Sequence, residues 1–146
     1  MCGITGIVQL QGSSNQLPVI LKNMNDKLKH RGPDDEGFVF LNQDTFQVCV
    51  SDETQEEVKN SRLPFCSSVN ITNSGADYTI ALAHRRLSII DITASGHQPM
   101  CKFDEQYWIT FNGEIYNFQE LRDTLVSKGH IFKSQADSEV IIHAYE

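Results

Sequence analysis

The chain has 146 residues, 40% of them hydrophobic, which suits one domain with a real core and argues against long-range disorder. Twelve basic against nineteen acidic residues give a net charge of -7, so neither a nucleic-acid backbone nor an anionic membrane is expected as the main partner. No stretch approaches the roughly 20 apolar residues of a membrane span.

Residues 3–10 (GITGIVQL) are apolar and β-branched and read as a buried strand. The first basic residue is Lys22, and the opening apolar run is too short for a secretory signal, so a cytoplasmic protein is expected. Leu17, Ile20, Leu21, Met24 and Leu28 recur at helical spacing and predict a helix over 17–29, with Pro18 in its first turn and Gly32-Pro33 stopping it. Strands are predicted at 37–41 and 45–50 around a turn at Asn42-Gln43-Asp44. The charged, turn-rich stretch 51–77 reads as a long surface excursion with some mobility.

Strands resume at 78–84 and 87–92, a loop covers 96–100, and another strand covers 106–111. Asn112-Gly113 signals a hairpin with 114–117 as its return strand. A helix follows at 118–128, with Asn117 as N-cap, Glu120 completing a capping box, Leu121, Leu125 and Val126 on its apolar face, and Gly129 as its stop. A short strand at 130–133 precedes a last helix from Asp137, with Val140, Ile141, Ala144 and Tyr145 facing inward. That helix has no stop signal, as in a domain cut from a longer protein. The order predicts an α+β fold with antiparallel sheets.

Four features carry chemistry. Cys2 follows the initiator methionine; removal of Met1 would leave a thiol and an α-amine on one residue, a nucleophile and a base with ordinary pKa values near 8. Its alternative is an inert strand start. Asn112 and Gly113 form either a simple turn or an oxyanion hole made of a side-chain amide and a backbone N–H. His84-Arg85-Arg86 sends its two arginines to opposite faces of a strand, one of which could grip a carboxylate. Asp137 is a helix N-cap or a partner for an ammonium group.

The other candidates are weaker. Asp34, Asp35 and Glu36 lack calcium-loop spacing and read as a solvated turn. None of the four cysteines forms a CxxC pair, and the five histidines show no zinc spacing, so no metal is expected. His30, His84 and His97 could each pair with a cysteine, but no local pattern marks such a dyad. Trp108 reads as core.

Taken together, MCGI with Gly6, HRGPDDEG (30–37), AHRRLSIID (83–91), GHQP (96–99), FNGEIYNFQELR (111–122) and ADSEVIIHAYE (136–146) resemble the N-terminal glutaminase domain of glutamine-hydrolysing asparagine synthetases, within the class II glutamine amidotransferases. The resemblance spans nearly the whole chain. It implies an N-terminal-nucleophile hydrolase fold, a four-layer αββα sandwich of two antiparallel sheets, over 1–146, with a surface insertion at about 41–79. It implies that Cys2 attacks the glutamine side-chain amide and that Asn112 and Gly113 hold the oxyanion. Arg86 would take the substrate α-carboxylate, Asp137 and Glu114 its α-amino group, with Leu87 and Ile89 lining the pocket. Arg85 would point the other way.

The family's C-terminal synthetase domain, which uses ATP and Mg²⁺ to activate aspartate, is not in this sequence. The domain itself implies no cofactor. Its partners would be glutamine and the synthetase domain, and family members often form homodimers. Two other readings stay open: a non-catalytic glutamine-binding or assembly module, and an amidotransferase with a different acceptor.

Overall fold

The computed structural model describes residues 1–12, 15–75, 78–89, 91–102 and 106–146. Strands β1 (Gly3–Val8), β2 (Asp35–Leu41), β3 (Phe46–Cys49) and β4 (Ile80–Arg86) form one antiparallel sheet in the order β1-β4-β2-β3. β5 (Met100–Cys101) and β6 (Trp108–Ile109) form a second antiparallel pair. The helices are α1 (Leu17–Asp26), the short α2 (Glu56–Lys59), α3 (Phe118–Ser127) and α4 (Glu139–Tyr145). The chain is therefore a mixed α/β protein with two antiparallel sheets, as its sequence predicts.

Strand register decides what each face of the large sheet meets. Thr5, Ala83 and Phe38 lie side by side, as do Ile7, Ala81 and Phe40. This face packs on Leu17 and Leu21 of α1, joined by Cys49 and Ile71. On the opposite face Ile4, His84 and Gly37 align, as do Gly6, Leu82 and Val39. A smaller core joins β5 to α4 through Met100, Cys101 and Ile142, with Phe65 of the 51–77 stretch. The β2–β3 hairpin turns at Asn42, whose Oδ1 accepts from the Asp44 and Thr45 N–H groups.

Several expectations are corrected. β1 is an edge strand rather than a buried one, with Ile4 and Val8 exposed, because β4 pairs with it on one side alone. α1 buries Leu17, Leu21 and Asn25, not Ile20 and Met24; the Asn25 amide donates to the buried Glu36 carboxylate at 3.0 Å. Within the predicted excursion at 51–77, residues 51–75 are packed rather than loose, while 76 and 77 lie outside the described residues. Val58, Phe65 and Ile71 are buried, Val50 bridges in parallel to Asn70, and Thr54 Oγ1 donates to the Glu36 carbonyl.

At 87–92 no strand forms among the described residues (Ile90 lies outside them), and 106–111 shortens to β6. Residues 114–117 make no return strand, and 130–133 make none either, since the Lys133 and Ser134 N–H groups bond the Glu139 carboxylate. The 96–100 loop contains a 3₁₀ turn ending at Gly96 and the first residue of β5.

Asn117 stands at the N-cap of α3 but makes no side-chain cap bond, so the capping box does not close. The C-terminus of α3 behaves as predicted. Gly129 adopts φ +98°, and the Gly129 and His130 N–H groups bond the Val126 and Leu125 carbonyls. α4 turns Val140, Ile142 and His143 inward and leaves Ala144 and Tyr145 exposed, the Ile142 side packing on Met100 and Cys101 of β5.

Of the acidic run, only Asp34 lies exposed in a bend as expected. Asp35 and Glu36 are the first residues of β2 and are fully buried opposite Arg86 and Arg85. Arg85 binds Glu36 at 2.9 Å, Asp26 at 2.7 Å and Glu53 at 2.6 Å, on the α1 face of the sheet. Removing one partner of a buried pair strands the other charge. Arg85→Met is therefore expected to lower unfolding stability by about 3 kcal/mol, read as a lower urea midpoint at unchanged slope.

Candidate active site

The antiparallel pairing of Gly3 with Arg85 brings the residue before β1 beside the residues leaving β4. Cys2 therefore meets Leu87: the Leu87 N–H donates to the Cys2 sulfur at 3.3 Å, and the thiol reaches the Leu87 carbonyl at 3.7 Å. The Arg31 guanidinium donates to the Cys2 carbonyl at 3.0 Å and pins the N-terminal segment.

Arg86 ends β4 on the face opposite to Arg85, and its guanidinium donates to the carbonyls of Asp91 and Thr93. It lies against Gly96, where any side chain would overlap it. Both arginines are nearly fully buried, but they serve different faces, as strand alternation requires.

Asn112 and Gly113 leave β6 without forming a hairpin. Asp137 does not cap α4 with its side chain; its carboxylate instead accepts the Ile115 N–H at 2.8 Å and holds the 112–117 segment down.

These segments surround one cavity of about 440 Å³. All eight residues singled out in the sequence line it: Cys2, Arg86, Leu87, Ile89, Asn112, Gly113, Glu114 and Asp137. The walls also include His84, Asp91, Gln98, Phe111, Tyr116 and Ser138. A thiol, a carboxamide, a guanidinium and two carboxylates thus converge from four separate stretches of chain. That donor set suits a small zwitterion carrying a reactive carbonyl.

Residues 69–146 match the family described as glutamine amidotransferase domain. The chain belongs to this family. Asparagine synthetase [glutamine-hydrolyzing] 1 of Bacillus subtilis (strain 168) is 34% identical over 99% of the chain and 17% of its own length. Asparagine synthetase [glutamine-hydrolyzing] of Sandersonia aurantiaca is 35% identical over 100% and 20%, and a putative asparagine synthetase [glutamine-hydrolyzing] 1 of Methanocaldococcus jannaschii is 34% identical over 100% and 23%. The chain spans about a fifth of the length of these curated relatives. It is a glutamine amidotransferase domain homologous to the corresponding part of glutamine-hydrolysing asparagine synthetases.

Two groups that sequence reasoning did not place at the site organise this cavity. Asp91 folds the loop after β4: its carboxylate accepts from Thr93, Ser95 and the Gln135 N–H, while its carbonyl takes Arg86. Burial works against its charge, but these donors together hold the carboxyl below its ordinary value. Asp35 lies behind the cavity and meets His97 Nδ1 at 2.6 Å. Burial opposes its charge too, yet His97, the Gln55 N–H and Arg86 bring its carboxyl below the usual range. Sequence reasoning put Asp35 in a solvated turn and Asp91 in a strand, because their partners His97 and Gln135 lie far away in sequence.

Elsewhere, a cavity of about 460 Å³ is lined by Lys102, Lys128, His130, Lys133, His143 and Glu146. His130, His143 and Glu146 stand close enough to share a cation, but the Lys102 ammonium already pairs with Glu146. Among the described residues, no helix is long and apolar enough to cross a membrane.

None of the four cysteines forms a disulfide. Burial pushes Cys49 up to about 12 and Cys66 up to about 11, and Cys101 is buried. Thiolate fraction and access control alkylation. Iodoacetamide at neutral pH should add one carbamidomethyl group to the native chain by intact mass, and Cys2→Ser should abolish that adduct.

His84, at the back of the cavity, is nearly fully buried, and burial pushes its pKa from 6.5 down to about 4. The folded ring stays neutral while the unfolded ring takes up a proton, so stability is present above pH 6.5 and falls as pH drops towards 4. The full loss is ~3 kcal/mol. Urea midpoints measured between pH 7 and pH 4.5 should fall, and His84→Gln should flatten that dependence.

Proposed function

We propose that this domain hydrolyses the side-chain amide of glutamine, with Cys2 as the nucleophile. The convergence of Cys2, Asn112, Gly113, Arg86 and Asp137 on one cavity carries this reading. The family match and the relatives' name, glutamine-hydrolyzing, support it.

Removal of Met1, which is exposed, frees the Cys2 α-amine. The thiol sulfur attacks the amide carbon while the amine takes the thiol proton. Negative charge develops on the amide oxygen, where the Asn112 carboxamide and Gly113 N–H donate hydrogen bonds. The intermediate collapses, the proton passes to the departing nitrogen, and ammonia leaves a thioester. Water then attacks the thioester, and glutamate departs with the thiol restored.

Arg86 holds the α-carboxylate; the loop carbonyls that fix its fork take only part of its donor set. Asp137 and Glu114 hold the α-ammonium, and the chain at Leu87 and Ile89 closes the pocket wall. Two sheets, with α1 behind one and α4 behind the other, support the four-layer αββα arrangement of N-terminal-nucleophile hydrolases over 1–146; within the 41–79 segment, β3 joins the larger sheet, and Cys49 and Ile71 join its core.

In the whole protein, the ammonia passes to a synthetase portion beyond this chain, which amidates aspartate using ATP and Mg²⁺. The cavity at Cys2 suits an amino-acid amide rather than a triphosphate, so neither cofactor is assigned to this domain. A cytoplasmic homodimer completes the reading.

Incubation with a chloroketone analogue of glutamine should give a chain lacking Met1 and carrying one adduct at Cys2 by peptide mapping. Cys2→Ala should retain the far-UV circular dichroism spectrum and lose glutamate release by at least about a thousandfold. A chain that retains Met1, takes no adduct and releases no glutamate would instead be a non-catalytic module.

A further inference from the structure

The oxyanion donors sit on a segment without strand pairing, so something else must hold them still. Phe111 immediately precedes Asn112, and both of its backbone polar groups are taken by side chains. Its N–H donates to the Gln98 Oε1 at 2.7 Å, and its carbonyl accepts from the His84 ring Nε2 at 3.1 Å. The carbonyl can only accept, so Nε2 carries the ring proton, and burial keeps the ring neutral. The other end of the Gln98 carboxamide donates to Ser138 Oγ at 3.4 Å. Ser138 follows Asp137, whose carboxylate holds the Ile115 N–H at 2.8 Å. Gln98 thus joins the segment before Asn112 to the turn that carries Asp137.

Gln98 is itself tightly enclosed. Only 7% of it is exposed. Its neighbour His97 is fixed to Asp35, and both His97 and the Gln98 carbonyl lie so close to Gly37 that no side chain fits there. A neutral carboxamide accepts at one end and donates at the other; a carboxylate only accepts and an ammonium only donates. A carboxylate at this position could still accept from both the Phe111 N–H and the Ser138 hydroxyl, at the cost of a buried charge.

We propose that Gln98 is a positioning residue of the amidotransferase site, holding the Asn112–Gly113 donors in register with Cys2 through the Phe111 N–H. The assignment rests on the reading of Cys2 and Asn112 given above. Oxyanion donors act on charge that exists only in the transition state, so a slack segment costs turnover rather than substrate binding.

The test uses the full-length protein, with steady-state glutamate release and Cys2 labelling by the chloroketone glutamine analogue read side by side. Gln98→Met removes both hydrogen bonds at similar volume. It should lower kcat by roughly tenfold to a hundredfold, with KM and the labelling rate within about threefold. Gln98→Glu keeps the acceptor for Phe111 and should recover most of the lost kcat.

Wild-type kcat in Gln98→Met, a loss confined to KM, or equal losses in the two variants would overturn the assignment. If Gln98→Met fails to fold, Gln98→Glu decides alone: kcat within about tenfold of wild type supports the assignment, and a larger loss overturns it. A wild-type protein that neither labels nor hydrolyses glutamine would sink the underlying reading. One that does both while Gln98→Met is unaffected sinks only the role of Gln98.

Discussion

Two arginines occupy consecutive positions on a central strand, and the sheet is arranged around their charge. β4 lies between β1 and β2, and its register sets Arg85 opposite Glu36 and Arg86 opposite Asp35. Strand alternation forces the arginines to opposite faces. Neither face could tolerate an unpaired buried cation. On the α1 face, Glu36, Asp26 and Glu53 surround Arg85, and the last two reach in from α1 and from the chain before α2. On the other face, Arg86 faces the Coulomb field of Asp35 and takes two loop carbonyls. The polar network also fixes which residues of α1 are buried, since Asn25 turns inward to satisfy Glu36.

The cavity follows from where this strand ends. Leaving the sheet at Arg86, the chain cannot continue as a strand, because Asp91 gathers its own loop and Asp34 takes the Ser88 N–H at 2.8 Å. The loop therefore curls over Arg86 and presents Leu87 to Cys2. The 111–115 segment closes the opposite wall, held by Gln98, His84 and Asp137 rather than by a ladder. Irregular backbone held by side-chain hydrogen bonds can point N–H groups into a cavity, whereas a strand spends them on its neighbour. The failure of the predicted hairpin at Asn112-Gly113 and the availability of these residues to a ligand have one cause.

The family resemblance singled out eight residues, and the structure lines one cavity with all eight. The residues that hold them are a different matter. Nothing local in GHQP marks Gln98 as a clamp, since its partners Phe111 and Ser138 lie 13 and 40 residues away. Asp35 and Glu36 look solvated because a run of acids in a turn-rich stretch usually is. Their burial depends on Arg85, His97 and Ser51, which no spacing rule connects to them. The packed course of 51–75 escaped for the same reason: Val58, Phe65 and Ile71 are isolated apolar residues, without a period, that find separate pockets.

By itself, the sequence determined the local features: the α1 and α3 segments, the Gly129 stop, the Asn42 turn, and the alternation that separates Arg85 from Arg86. Each follows from backbone geometry within a few residues. The tertiary structure alone decided which strands are central or edge, where β4 ends, and which carboxylates are buried. These depend on pairings across tens of residues, such as Gly3 with Arg85 and Asp35 with Arg86. The charge of each buried group is tolerable only once its distant partner has arrived.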